Sequence, residues 1–365
     1  MDIPFLSLKK VNLRYQVEFQ ESFLEFVDIG HYILGPQVKA FEANFAEYCQ
    51  SKYCIGVANG LDALELIIKS YKFPSNSEII VPANTYYASI LSIINVGLKP
   101  VLVEPKAYDL LLDTTNLETH ITPKTVAILG VNLYGRMCDL SRLKSICTDR
   151  NLKLFVDAAQ SHGALYNGTT NCIGADATAY SFYPTKNLGA LSDAGAVITD
   201  DIDLANEIRK NRNYGSEIKY KFDGLGRNSR LSELQAGFLN IKLKYLNEEI
   251  NIRRDIARKY LNEIKNPRII LPPNDNINED AWHLFVIRCK NRKSLAQYLE
   301  KMQIGYEIHY PIPPHKQKAF SGFGDFELPI TEEIHETILS LPLNPSLNQN
   351  EIDYIIKILN EFEYA

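Results

Sequence analysis

The sequence predicts an α/β protein, with a large domain built on a mostly parallel central sheet and a smaller C-terminal α+β domain. Three observations lead there. The chain has 365 residues, beyond the size at which one hydrophobic core usually stops growing. Short apolar runs alternate with amphipathic stretches as far as about residue 240. Beyond that point one long helical pattern and a scatter of prolines take over. The expected division is 1–245 for the large domain and 246–365 for the small one.

The elements follow in order. "ILGPQVKAFEANFAEYCQ" (33–50) is a loop entering a helix, with Gly35-Pro36 at the junction. "EIIVP" (78–82) is a strand and "TYYASILSIINVG" (85–97) a helix ending at Gly97. Further strands are "KPVLVEP" (99–105), "TVAILGVNLYG" (125–135), "LKLFVDAAQ" (152–160), "ATAYSF" (177–182) and "AGAVITD" (194–200). Their apolar runs are continuous rather than alternating, as suits strands buried on both faces. Helical stretches such as "DLSRLKSICTDRN" (139–151) lie between them, so the units are βαβ and the sheet is largely parallel. The second domain opens with the helical pattern 243–264. It continues through Pro272 and Pro273, a strand-like "HLFVIRC" (283–289), a helix at 292–303, Pro311, Pro313 and Pro314, and a helix at 350–362.

Composition narrows the function. A 45% apolar and 23% charged chain is an ordinary soluble globular protein. A net charge of −5 without a basic block speaks against nucleic acid. Small anionic ligands stay open, because backbone N–H groups can hold a phosphate. The start, "MDIPFLSLKK", has no signal-peptide pattern, and no uncharged apolar run reaches the roughly 18 residues of a spanning helix. The cysteines (49, 54, 138, 147, 172 and 289) form no C-x-x-C pair, so they read as free thiols in a reducing cytoplasm. The histidines do not cluster, and no metal is expected.

In parallel sheets ligands bind at the carboxyl ends of strands. After the strand at 152–156 come Asp157, Gln160 and His162; Asp157 alone reads equally well as a helix N-cap. After 177–182 comes Lys186, with Ser181, Tyr183 and Thr185 nearby; alone, such a lysine reads as snorkelling from the surface. Asn59-Gly60 in "VANGLDALEL" opens a helix whose free N–H groups make a phosphate seat. "ANTYYAS" (83–89) puts an aromatic after Thr85 at another strand end. Together these are the parts that pyridoxal 5′-phosphate needs: donors for its phosphate, a face for its ring, a carboxylate for its ring nitrogen and a lysine for its aldehyde.

"GVANGLDALEL", "ANTYYAS", "VDAAQSHGA", "SFYPTKNLGALSDAGAV" and "GRNSRLSELQAGFL", in this order, resemble the DegT/DnrJ/EryC1 family of sugar aminotransferases. These are fold type I pyridoxal-phosphate enzymes related to aspartate aminotransferase. The resemblance runs from "ILGPQVKAFE" to "IHYPIPPHKQ", most of the chain. It implies that Lys186 carries the cofactor as a Schiff base, that Asp157 pairs with the ring nitrogen, that Gln160 lies near the ring hydroxyl and that Tyr86 stacks on the ring. Gly60, the Leu61 backbone and Ser181 would bind the phosphate. Asn228 would reach the phosphate of a neighbouring subunit, which implies a homodimer with shared active sites. Two departures stand out: Leu61 replaces the family's frequent Thr or Ser and loses a hydroxyl, and Ser192 replaces a common glycine.

The same resemblance implies transamination with L-glutamate as donor and pyridoxamine phosphate as the half-reaction form. The nearest branch acts on dTDP-3-keto-6-deoxyhexoses, giving dTDP-3-amino-3,6-dideoxyhexoses for surface glycans (O-antigen, S-layer glycan) or natural products. The alternatives are a perosamine-type 4-aminotransferase and a pyridoxamine-phosphate-dependent sugar dehydratase; the presence of Lys186 argues against the latter. His162, Tyr183, His309 and Tyr310 are the candidate sugar and donor contacts. A packed histidine is the equal alternative for His162. His31 and His315 could also lie near the sugar.

Overall fold

The computed structural model describes residues 1–170, 174–218, 220–324 and 326–363. Strands β1 (Tyr53–Val57), β2 (Glu78–Pro82), β3 (Lys99–Val103), β4 (Thr125–Val131), β5 (Lys153–Asp157), β6 (Ala177–Ser181) and β7 (Gly195–Thr199) form one sheet. Its order is β1-β7-β6-β5-β4-β2-β3. The pairings from β3 through β6 are parallel, while β7 is antiparallel to both β6 and β1. β1 therefore points the same way as the parallel set. The protein is α/β with a mostly parallel sheet, as the alternation of runs predicts. The expected strands 99–105, 125–135 and 152–160 end sooner, at Val103, Val131 and Asp157.

The continuous apolar runs are continuous because both faces are covered. Ile80, Ile128, Leu154 and Val156 enter one core, with the helices Pro36–Tyr48, Leu140–Arg150 and Glu233–Leu243. Ile79, Val81, Ala127, Leu129 and Phe155 enter the other, with the helices Gly60–Ser70, Tyr87–Asn95 and Ile202–Asn211. The result is a three-layer sandwich, each layer hiding the apolar face of the next. Phe182, just past β6, meets Phe41 and Phe45 edge-on at 5.2 Å each, an arrangement worth about 0.5–1.5 kcal/mol per pair beyond area burial. That packing anchors the chain immediately before Lys186.

From residue 246 a second core forms around Tyr260, Phe285, Leu341, Ile355 and Leu359. It gathers the helix Leu246–Glu263, the antiparallel pair β8 (Phe285–Arg288) and β9 (Ile338–Leu341), and the helices Arg292–Lys301 and Gln349–Glu361. The last helix opens on a capping box between Asn348 and Glu351, which satisfies two donors at its start. Ile3 crosses over to join this core, pairing with Ile304. Two helices near the N-terminus, Leu8–Leu13 and Gln16–Ile29, bury no residue fully. Cys54 and Cys147 are buried free thiols, whereas Cys172 lies outside the described residues. Among the described residues no helix is long and apolar enough to cross a membrane.

Candidate active site

The sheet register assembles the site. Val131 of β4 faces Asp157 of β5 across the ladder. Ser181 of β6 and Val57 of β1 both pair with Gly195 of β7, one on each side. The chain leaving β1 therefore reaches Asn59-Gly60 beside Ser181. Contact there is too close for side chains. A Cβ on Gly60 would lie 2.6 Å from Ser181 Cβ, and one on Gly195 would lie 2.5 Å from the Asn59 carbonyl carbon. Asn59 caps the helix Gly60–Ser70 through the Asp62 N–H (2.8 Å). The first-turn N–H groups and the Ser181 hydroxyl then face one concavity, a seat for a phosphate.

That concavity belongs to a cavity of about 530 Å³. Gly60, Leu61, Tyr86, Asp157, Gln160, Ser181, Tyr183, Lys186, His309 and Tyr310 all line it. Asp157 is buried, with Oδ2 accepting from Ser89 Oγ (2.7 Å) and Oδ1 from the Ala159 N–H (3.1 Å). Ser89 is in turn 2.8 Å from Thr85 Oγ1. Burial pushes the Asp157 carboxyl above its ordinary range; the Ser89 and Ala159 hydrogen bonds and the Lys186 charge pull it back.

Lys186 Nζ is the complementary case. Desolvation pushes its pKa down to about 8, against the Asp157 charge. Three histidines surround the amine. Burial, then the Lys186 charge, lowers His162 to about 3, His309 to about 4 and His283 well below its ordinary value. All three are neutral imidazoles at physiological pH. His309 Nδ1 is 2.9 Å from Ser340 Oγ, and His283 Nδ1 is 3.3 Å from Asn187 Oδ1.

Gln160 is engaged at both ends: Oε1 accepts from the Tyr134 N–H (2.7 Å) and Nε2 donates to Tyr310 Oη (3.0 Å). The Tyr310 ring lies 5.2 Å from that of Tyr86, which is 57% exposed and so has a face free for a ligand. The Tyr134 hydroxyl donates to the His309 carbonyl (2.6 Å), tying the C-terminal segment to the end of β4.

Three expected contacts, His162, His31 and His315, lie elsewhere, and Asn228 lies outside its own cavity as a residue serving a neighbour would. His162 does not line the cavity; it is 1% exposed, 5.3 Å from the Tyr180 ring and 5.5 Å from that of Phe182, with neither ring nitrogen hydrogen-bonded. Packing explains His162, and a sugar contact from this position is not available. Asn228 is exposed and outside its own chain's cavity. His315 sits 3.1 Å from Glu332 Oε1, and His31 is exposed; neither lines the cavity. Ser192 is exposed, so its side chain displaces nothing. Ser89, Tyr134 and His283 were not read from the sequence as site residues. Ser89 stood four residues after Thr85 on a first helical turn, and Tyr134 stood before Gly135 at a strand end; those were the available signals.

The arrangement offers an anion seat, an open aromatic face, a buried carboxylate for a cationic ring nitrogen and an amine that loses its charge near pH 8. Pyridoxal phosphate presents the matching groups. The two glycines that a Cβ could not replace sit where its phosphate would enter.

Comparisons with known proteins agree with this geometry. A model of the DegT/DnrJ/EryC1/StrS aminotransferase family matches residues 14–360. The dTDP-3-amino-3,6-dideoxy-α-D-galactopyranose transaminase of Aneurinibacillus thermoaerophilus is 48% identical over 362 residues, 99% of this chain and 100% of that one. The crystal structure of DesV from S. venezuelae superposes with a TM-score of 0.96 at 39% identity, covering 99% of this chain and 98% of that one. NtdA of Bacillus subtilis, solved with its bound cofactor PMP, gives a TM-score of 0.92 at 28% identity, covering 98% and 84%.

Proposed function

This chain belongs to the DegT/DnrJ/EryC1/StrS aminotransferase family, and on that premise we propose that it moves an amino group from L-glutamate to C3 of a dTDP-linked 3-keto-6-deoxyhexose. It is a pyridoxal-phosphate-dependent transaminase. The observation that carries the substrate assignment is the end-to-end 48% identity with the A. thermoaerophilus enzyme. The same likeness favours the galacto configuration at C4. The product is an activated amino sugar, made in the cytoplasm for transfer into a surface glycan such as an S-layer glycan or O-antigen.

Bound pyridoxal phosphate supplies an electron sink for the charge that develops at the donor Cα and, as pyridoxamine phosphate, carries the amino group between half-reactions. The chain's own residues do the rest. The Gly60 and Leu61 N–H groups and Ser181 Oγ would hold the phosphate. Asp157 would keep a proton on the ring nitrogen, and Ser89 and Ala159 favour the ionised carboxylate that this requires. Tyr86 covers one ring face, and Gln160, braced by Tyr134 and Tyr310, borders the ring hydroxyl. Lys186 would hold the cofactor through its Nζ, and the free amine would take the Cα proton of the donor, a role suited to an amine that loses its charge near pH 8 instead of near 10.5. Two such half-reactions make the cycle ping-pong. Tyr183, His309 and Tyr310 face the donor and the sugar in turn.

A homodimer belongs to this reading. Helix Gln16–Ile29 exposes Val17 (66%), Leu24 (67%) and Val27 (50%), apolar side chains that a second copy would cover. Asn228, exposed in its own chain, would complete the phosphate site of the neighbour. The working division of the chain is 1–245 and 246–365, with Ile3 packed into the second core.

Product analysis tests the assignment. Offered dTDP-3-keto and dTDP-4-keto 6-deoxyhexoses of both C4 configurations with glutamate, the enzyme should aminate the 3-keto sugar, galacto before gluco. Amination of the 4-keto sugar alone would overturn the regiochemistry.

A further inference from the structure

The segment that carries Lys186 is gripped from outside the catalytic cavity. The Ala190 N–H returns to the Phe182 carbonyl (2.8 Å), closing a tight loop over residues 182–190. Gly189 is at its narrowest point, since a Cβ there would lie 2.4 Å from the Pro184 carbonyl oxygen. Helix Glu233–Leu243 runs beside this loop and reaches it twice. Gln235 Oε1 accepts from the Leu191 N–H (2.7 Å), and Lys242 Nζ donates to the Gly189 carbonyl (2.7 Å). The two residues are two helical turns apart, hence on one face. They are 8% and 3% exposed, and neither lines the cavity.

A lysine this buried is costly, and an apolar side chain would fill the space more cheaply. Its surroundings show what the amine is for. Besides Gly189 it donates to Asn12 Oδ1 (3.1 Å) and lies 5.7 Å from the centre of the Tyr15 ring. The charged groups around it are Glu249, which favours its cation, and Arg253, which opposes it. Tyr15 is itself hydrogen-bonded to Glu249. The ammonium thus joins the N-terminal helices to the backbone three residues beyond Lys186.

We propose that Gln235 and Lys242 are positioning residues for the transamination: by fixing the backbone at Gly189 and Leu191 they set where Lys186 Nζ sits. This rests on the reading of Lys186 as the proton-transferring base. Lys186 supplies the chemistry, and the helix supplies its aim. A loosened loop would let water reach the amine and misplace it against the donor Cα.

The test uses Lys242→Met and Gln235→Leu, with Gln235→Glu as the variant that keeps an acceptor for Leu191. Ile355→Val, in the C-terminal core, controls for lost stability. In apoprotein, acetylation of Lys186 followed by mass spectrometry against pH reports its free-amine fraction. In holoenzyme, kcat and KM are measured for both substrates. The wild-type midpoint should fall at about 8 and rise by about one pH unit in Lys242→Met and Gln235→Leu. In both, kcat should fall about tenfold with KM within about twofold, as expected of a misaligned reacting group. Gln235→Glu and Ile355→Val should keep the wild-type midpoint. An unmoved midpoint and unchanged kcat in the folded variants would overturn the proposal, as would the same shift in Ile355→Val. If Lys242→Met does not fold, the Gln235 pair decides alone. Turnover retained by Lys186→Ala would overturn the role of Lys186 itself; with that turnover lost, an unmoved profile in Gln235→Leu overturns the helix grip only.

Discussion

On the proposed mechanism Lys186 and Asp157 would define the chemistry at the scale of single side chains, and each is set by its surroundings. Replacing Lys186 with Ala should lower transamination by on the order of 10⁴-fold while cofactor still binds; single-turnover kinetics with glutamate would show it. The pH dependence has a definite sign. Burial holds the Lys186 amine at about 8, below an ordinary lysine, so its free-base fraction rises through pH 8 rather than near 10.5. Its acetylation rate in apoprotein should therefore climb between about pH 7 and 9 and then level off. A midpoint near that of free lysine would contradict the assigned burial. Ser89 acts at one remove. Ser89→Ala strips a donor from Asp157 Oδ2, a loss of about 1.5–3 kcal/mol for a hydrogen bond to a charged group. The Asp157 carboxyl should then titrate still higher. The acidic limb of kcat/KM should move to higher pH, and cofactor should leave about tenfold faster on dialysis. These residues differ in how readily they could be read from sequence. Lys186, Asp157 and Tyr86 stand at ends of apolar runs, where a linear pattern marks them. Ser89 matters only because Asp157, 68 positions away, lies against it, and no local spacing records that.

Secondary-structure elements carry the site because of their register. Gly195 sits between Val57 and Ser181, and its missing side chain leaves room for Asn59. Gly195→Ala should destabilise the fold by about 1–3 kcal/mol, the usual range for forced overpacking, and should weaken phosphate binding as the start of helix Gly60–Ser70 is displaced. Urea unfolding and inorganic phosphate titration of the apoprotein measure the two effects; an unchanged phosphate affinity would argue that the helix start is not the seat. The strands β2, β4, β5 and β6 were legible because burial on both faces leaves long apolar runs. The reversed direction of β7 was not, since hydrophobic pattern carries no sense of chain direction. Helices Leu8–Leu13 and Gln16–Ile29 escaped for another reason: no residue is fully buried, and on the second the half-buried Phe19, Ser22 and Phe26 compete with apolar side chains exposed on its other face. His162 shows the opposite error, in which a motif suggested a ligand contact and packing against Tyr180 and Phe182 accounts for the residue instead.

At the scale of the whole molecule, the proposed homodimer would make assembly part of catalysis, through the exposed N-terminal helix and Asn228. Val17→Lys and Leu24→Lys together should shift the protein toward monomer in sedimentation and lower activity in step, with activity recovering at high protein concentration. Full activity in a monomer would show that one chain completes its own site. The Tyr134–His309 hydrogen bond and the crossing of Ile3 into the second core tie the two parts of the chain around the cavity.

On the proposed reading the groups that would lie against the cofactor, Gly60, Asp157, Ser181 and Lys186, all stand on or beside strands of one sheet, whereas His283, His309 and Tyr310 come from the C-terminal part of the chain. On that reading the reacting groups lie in the earlier stretch of the gene, while the sugar contacts are shared between Tyr183 there and the later stretch. A lineage could exchange or drift in the later stretch and change which sugar is aminated, while the proton-transfer apparatus passes on intact. Chimaeras joined near residue 245 offer a route to new amino sugars that leaves the reactive centre alone.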